Sequence, residues 1–222
     1  KHSWLTLIFK KSFIMNKIKI ASAVICMSLM TTAVFAEIRM GLNAAFSSFD
    51  TSGSEKLRQS NNVTNHSLTE DIVVPSVFAE VVGDSGIALG LDYVPVAELG
   101  SGTGDDDDLE TSGANKASAE LASHVTLYVL KETSNGLFVK AGVAFADVDT
   151  TENLSTGDSY KDTDTKGLMI GFGKHFDLNN MFVRGSVSYT DYEEVSITSA
   201  GGSKVTADVD SVAATLSIGK KF

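Results

Sequence analysis

The chain has 222 residues with a formal net charge of −10, 43% hydrophobic residues and one cysteine. That charge excludes a general nucleic-acid binder, which needs a basic footprint. A mean hydropathy of +0.07 excludes both a disordered chain and a bundle of membrane helices. It suits a membrane β-barrel, in which only alternate residues meet lipid.

The N-terminus reads as an address. From Met15, the residues Asn16, Lys17, Ile18 and Lys19 form a positively charged start, Ile20 to Val34 are mainly apolar, and Ala33-Val34-Phe35-Ala36 precedes Glu37. This is the order of a secretory signal peptide with its cleavage site. The expected division is an upstream extension over 1–14, a signal peptide over 15–36 and a barrel over 37–222; a longer signal anchor is the alternative for the first segment. Removing Lys1, Lys10, Lys11, Lys17 and Lys19 leaves 13 basic and 28 acidic residues, a net charge of −15. Cys26 falls inside the apolar segment without the small residues a lipoprotein site needs, so the processed chain holds no disulfide. No run of about 20 apolar residues follows Glu37, so no membrane helix is expected there.

Strands follow in order, each with a period of two. The first, 38–49, sets Ile38, Met40, Leu42 and Phe46 against Arg39, Gly41, Asn43 and Ser47. The second, 71–82, sets Val77, Ala79 and Val81 against Ser76, Phe78 and Glu80. The third, 87–96, sets Ile87, Leu89, Leu91 and Tyr93 against Ala88, Gly90 and Asp92. The fourth, 119–131, opposes Val125, Leu127 and Val129 to His124, Thr126 and Tyr128. The fifth, 137–148, opposes Val139, Ala141 and Val143 to Lys140 and Gly142. The sixth, 166–176, opposes Leu168, Ile170 and Phe172 to Gly167, Met169 and Gly171. The seventh, 181–192, opposes Val183, Val187 and Tyr189 to Arg184, Ser186 and Ser188. The last runs from Val205 to the end, with Val212, Ala214, Leu216 and Ile218 on the parity of Phe222.

The connections alternate between long polar stretches (50–70, 97–118, 149–165, 193–204) and short turns at 83–86, 133–136 and 177–180. Long external loops and short periplasmic turns characterise transmembrane barrels. Phe46, Phe49, Tyr93, Phe145 and Tyr189 are expected near the outer rim, and Phe138, Phe176, Phe182 and Phe222 near the periplasmic rim, where Lys174 can snorkel. With its leader, its strand pattern and its terminal aromatic, the chain resembles the eight-stranded outer-membrane barrels of the OmpA and OmpX type. The resemblance implies an all-β, eight-stranded antiparallel transmembrane up-and-down barrel in the cell outer membrane, monomeric, in contact with lipid and lipopolysaccharide. It also implies delivery by the barrel assembly machinery, with Leu216, Ile218 and Phe222 as the terminal assembly signal. A soluble lipocalin-like carrier, with the apolar faces turned inward, is the alternative.

If the polar face points inward, Glu80, Lys140 and Arg184 are expected to meet at one level as a charge cluster that plugs the lumen, with Asp92 on the same face, because unpaired buried charges are costly. The first expected role is structural, stabilising the envelope and presenting four loops; a porin-like leak for small solutes and adhesion through the loops are the alternatives. Ser123 and His124 are adjacent and so face opposite sides of a strand, which argues against a nucleophile–base pair and against an enzyme. Asp105, Asp106, Asp107 and Asp108 lack the spacing of a calcium loop and read as a solvated acidic loop. No cofactor or resident metal is expected.

Overall fold

The computed structural model describes residues 35–56, 63–106, 113–155, 157 and 159–222. The signal peptide and upstream extension lie almost wholly outside these residues, as do Asp107 and Asp108. A single compact unit spans Glu37–Phe222. It is built of antiparallel strands: β1 (Phe35–Lys56), β2 (Val63–Gly83), β3 (Ile87–Val94), β4 (Ala97–Asp106), β5 (Gly113–Glu132), β6 (Leu137–Asn153), β7 (Thr163–Leu178), β8 (Met181–Tyr192), β9 (Val195–Thr198) and β10 (Lys204–Lys221).

The hydrogen-bonded order is β1-β2-β3-β5-β6-β7-β8-β10, and β10 pairs back onto β1 from Arg39↔Lys221 to Lys56↔Lys204, so the sheet closes into a ring. Closure removes the free edges that an open sheet would expose. The ten segments exceed the expected eight. β3 and β4 occupy successive stretches of β5, with Val94 opposite His124 and Ala97 opposite Leu121. Pro95 stands at the break, where it has no N–H to give to the ladder. β8 and β9 likewise follow one another along β10. Asp191 faces Asp210 but Val195 faces Ala207, so three residues on one side span the place of two. That extra residue is a bulge.

The expected long loops are another correction. β1 runs to Lys56, β2 starts at Val63, β4 and β5 fill most of 97–118, and β6 reaches Asn153. About 9–11 residues cross a bilayer, whereas β1 has 22 and β2 has 21. These polar stretches lack a period of two because both faces beyond a membrane meet water. The ladder between neighbours still satisfies their backbone groups. The three short turns stand as expected; Gly136, at φ 79°, turns the chain where a Cβ would lie 2.4 Å from the His175 carbonyl oxygen.

The apolar stripes face outward. Leu168 is 69% exposed, Phe172 64% and Leu216 61%, in a belt with Leu42, Val139 and Ile170. This is the inverse of a lipocalin, whose apolar faces line the interior. The inward face is not uniformly polar, however. Toward the turns, Val82, Ala88, Tyr128, Leu130, Phe138 and Met169 pack together. Toward the other end, Val74, Val94, Leu121 and Ala146 form a second cluster. Phe49 packs against that cluster rather than standing on the outer rim, and Phe138 and Phe182 are buried inside rather than placed at the periplasmic rim. A bulge between Leu121 and Ser123 lets Leu121 and His124 both turn inward despite their opposite parity.

Glycines make room for the interior rings. Gly90 pairs across strands with Tyr128, Gly173 with Phe138 and Gly219 with Phe182. A Cβ on Gly219 would lie 2.3 Å from the Phe182 ring, and one on Gly90 2.3 Å from the Tyr128 ring. Each ring lies across the backbone of its glycine, a cross-strand pairing that pins register. Gly219→Val is therefore expected to lower stability by about 1–3 kcal/mol through overpacking, whereas Gly102→Ala, whose Cβ meets nothing within 4 Å, leaves it unchanged. Urea unfolding of the detergent-solubilised protein measures both, and equal midpoints would remove the steric account.

Candidate functional site

The centre of the lumen is an ion pair. Glu80 on β2 is 0% exposed and Arg184 on β8 is 5% exposed. Arg184 Nη1 donates to Glu80 Oε1 at 2.6 Å and Nη2 to Oε2 at 2.9 Å. This two-pronged geometry is the strongest arrangement of the two groups. Tyr128 Oη adds a third donor to Glu80 Oε1 at 2.8 Å. The guanidinium carbon lies 5.1 Å from the Phe138 ring centre, 5.2 Å from Phe182 and 5.5 Å from Phe78. Three ring faces thus surround a cation already bound to its carboxylate.

Below the pair, toward the turns, a second polar group closes the ring. His175 on β7 stacks on Phe182 with centroids 4.6 Å apart. Its Nδ1 lies 3.5 Å from both Arg39 Nη1 and Arg184 Nη2. Arginine nitrogens only donate, so Nδ1 is an acceptor and Nε2 carries the proton, which it donates to Asp177 Oδ1 at 3.0 Å. Arg39 Nη1 donates to Glu132 at 2.6 Å, and Arg39 also pairs with Glu37. Lys221 pairs with Asp177. These contacts join β1, β5, β7 and β10 across the lumen.

Of the expected cluster, Glu80 and Arg184 meet and Lys140 does not join them. Lys140 Nζ lies 5.8 Å from the Tyr128 ring centre and forms no ion pair among the described residues. Both Glu80 oxygens are taken by the guanidinium fork, and Oε1 also by the Tyr128 hydroxyl. Asp92 sits apart from the ion pair and accepts from Asn43, whose amide also donates to Ser76 Oγ at 3.1 Å. Leu216, Ile218 and Phe222 all point outward into the apolar belt. Arg39, Tyr128, Glu132 and His175 did not stand out in the sequence reading. The available signal was their inward parity combined with glycines opposite the rings.

The other candidate chemistry is dispersed. Ser123 Oγ donates to Asp147 at 2.6 Å, while His124 Nε2 meets Tyr192 Oη at 3.1 Å. The two side chains engage different partners. Asp105 and Asp106 end β4. Among the described residues, no group of three or more His, Cys, Asp or Glu is placed to hold a metal ion. At the end away from the short turns, Ser52, Ser54, Asn65, His66, Glu194 and Asp208 line an open polar cavity of about 470 Å³.

A closed antiparallel ring with an apolar exterior and an ion pair locked inside is a membrane-spanning β-barrel. Its fold is that of outer-membrane β-barrel proteins. The outer membrane protein OprG from Pseudomonas aeruginosa superposes with a TM-score of 0.54 at 17% identity, over 86% of this chain and 98% of that one. Ail, the attachment invasion locus protein of Yersinia pestis, matches at 12% identity and a TM-score of 0.42, over 82% of this chain and 99% of that one. Neisserial surface protein A matches at 12% identity and a TM-score of 0.41, over 83% and 97%. No family model matches the sequence, and no curated protein matches it.

Removing one partner of a buried pair strands the other charge, at a cost of about 3–5 kcal/mol. Glu80→Leu is expected to destabilise the barrel by that amount, and Arg184→Met similarly. The double variant Glu80→Leu with Arg184→Met should recover most of the loss, because an apolar pair strands no charge. Urea midpoints of the four proteins form the test, and additive losses would contradict the coupling.

Proposed function

We propose that this chain is a Gram-negative outer-membrane barrel with a structural role in the envelope. In this reading β3 with β4 and β8 with β9 each count as one crossing. The result is eight crossings in up-and-down order with both ends on the periplasmic side, as in the OmpA and OmpX type. Residues 15–36 act as a removable signal peptide. Leu216, Ile218 and Phe222 serve the barrel assembly machinery, and the barrel works as a monomer. The long outer parts of β1, β2, β4, β5 and β6 present a polar, acidic surface beyond lipopolysaccharide. No catalytic role belongs to this reading.

The observation that carries it is a buried ion pair packed among rings in the lumen, inside an apolar exterior. Glu80 has no exposure, Arg184 is bound to it and covered by three rings, and Leu168, Phe172 and Leu216 stand outside. An eight-stranded barrel is narrow enough for side chains to fill, and here the filling is held by charge and by stacked rings. A filled lumen supports a structural protein over an open pore.

Two measurements on protein from isolated outer membranes test this. Boiling in SDS should shift its gel mobility, as expected for a detergent-resistant barrel. Planar-bilayer recordings should then show no stepwise conductance. Steps of conductance would replace the structural role with the porin-like one. Recovery in the soluble periplasmic fraction without a shift would end the membrane reading.

A further inference from the structure

Three lysines occupy equivalent places on the outer face of the barrel. Lys131 on β5 lies opposite Ile87, the first residue of β3. Lys174 on β7 lies opposite Leu137, the first residue of β6. Lys220 on β10 lies opposite Met181, the first residue of β8. Each therefore sits on a strand descending to the short-turn end, level in register with the start of the preceding ascending strand. All three are exposed, and Ile87, Leu137 and Met181 beside them are exposed apolar residues.

The ammonium groups are held in position. Lys174 Nζ lies 5.2 Å from the Phe176 ring centre, and Lys220 Nζ lies 4.8 Å from that of Phe222. The same Lys-X-Phe arrangement thus ends β7 and β10. Lys131 Nζ donates to the Ser85 carbonyl oxygen in the first turn. None of the three forms an ion pair among the described residues. Nearby carboxylates are already engaged: Glu37 and Glu132 by Arg39, and Asp177 by His175 and Lys221. Asp84, in the first turn, is the exception. At the opposite end, the exposed Lys166 is matched by Glu193 at 3.0 Å.

An ammonium on a lipid-facing parity is costly within hydrocarbon and turns toward the headgroup layer. The anionic group it meets there is a lipid phosphodiester. We infer that Lys131, Lys174 and Lys220 form a periplasmic-rim ring that seats the phosphates of inner-leaflet phospholipids and selects anionic ones. Selection follows from charge: a zwitterionic lipid offers each lysine a phosphate partly offset by its own amine, whereas phosphatidylglycerol offers a net negative charge. The ring rests on the outer-membrane reading above.

The test uses full-length protein extracted from membranes and placed in bilayer discs of phosphatidylcholine mixed equally with phosphatidylglycerol. Native mass spectrometry then reads the ratio of the two lipids that stay bound. The unsubstituted protein should enrich phosphatidylglycerol. Each lysine should favour the anionic lipid about fivefold at its own position, so the variant combining Lys131→Gln, Lys174→Gln and Lys220→Gln should lower the ratio of bound phosphatidylglycerol to phosphatidylcholine about fivefold. The matching triple arginine variant should keep it, and high salt should weaken it. Lys166→Gln, at the other end, should change nothing. An undiminished preference in the triple glutamine variant would overturn the ring, as would an unchanged preference in single Lys174→Gln and Lys220→Gln variants if the triple fails to fold. Unsubstituted protein that never enters the discs and shows no boiling-dependent gel shift would end the membrane reading and the ring with it. Insertion without lipid preference would end the ring alone.

Discussion

A carboxylate with no access to water, set inside a ring whose exterior is built for lipid, is the constraint on which the rest of this structure depends. Glu80 is unable to turn outward, because Ala79 and Val81 on either side of it hold the opposite parity. It must therefore find donors inside. Arg184 supplies two and Tyr128 a third, and these reach it from β8 and β5. Strands far apart in the sequence are tied across the lumen through one residue. Closing the ring satisfies backbone groups; the ion pair fixes which side chains fill the space the ring encloses.

The rings around Arg184 solve a packing problem that charge alone leaves open. A narrow barrel has no room for a large side chain on every inward position, so large residues must face small ones. Tyr128, Phe138 and Phe182 each lie across a glycine on the neighbouring strand. The glycines matter here for the volume they leave free. Phe138 and Phe182, with Phe78, then present their faces to a guanidinium, so the same atoms provide apolar packing and an attractive surface for a cation. His175 extends the arrangement, stacking on Phe182 while linking Asp177 to the two arginines. Lumen filling and charge pairing are therefore one construction.

The two ends of the barrel differ in how they use charge. At the turn end, Arg39 holds Glu37 and Glu132, His175 and Lys221 hold the exposed Asp177, and Lys174 and Lys220 stand outward beside aromatic rings. At the other end, strands continue past the apolar belt with Asp50, Glu55, Asp208 and Asp210 among their residues. There water on both faces removes the need for an apolar stripe, and only the hydrogen-bond ladder keeps the strands in register. The polar cavity lined by His66, Glu194 and Asp208 lies in that projecting part.

The sequence alone determined the class of the fold, because a period of two and short turns between strands are local properties of the chain. It also determined which face of each strand is apolar, and hence that Glu80, Lys140, Arg184 and Asp92 share the other face. Three features were decided only by the tertiary structure. The strands extend well beyond their apolar stretches, since pairing with a neighbour does not need hydrophobic alternation. The breaks near Pro95 and after Tyr192 split two strands into collinear pieces, giving ten segments where eight were expected. The membership of the charge cluster depended on the height at which each side chain enters the lumen, which the register of each strand with its neighbours sets. Parity places a residue on a face but assigns it no level around a closed ring, so Glu80 bonds Arg184 and Tyr128 while Lys140 lies over the Tyr128 ring without an ion pair.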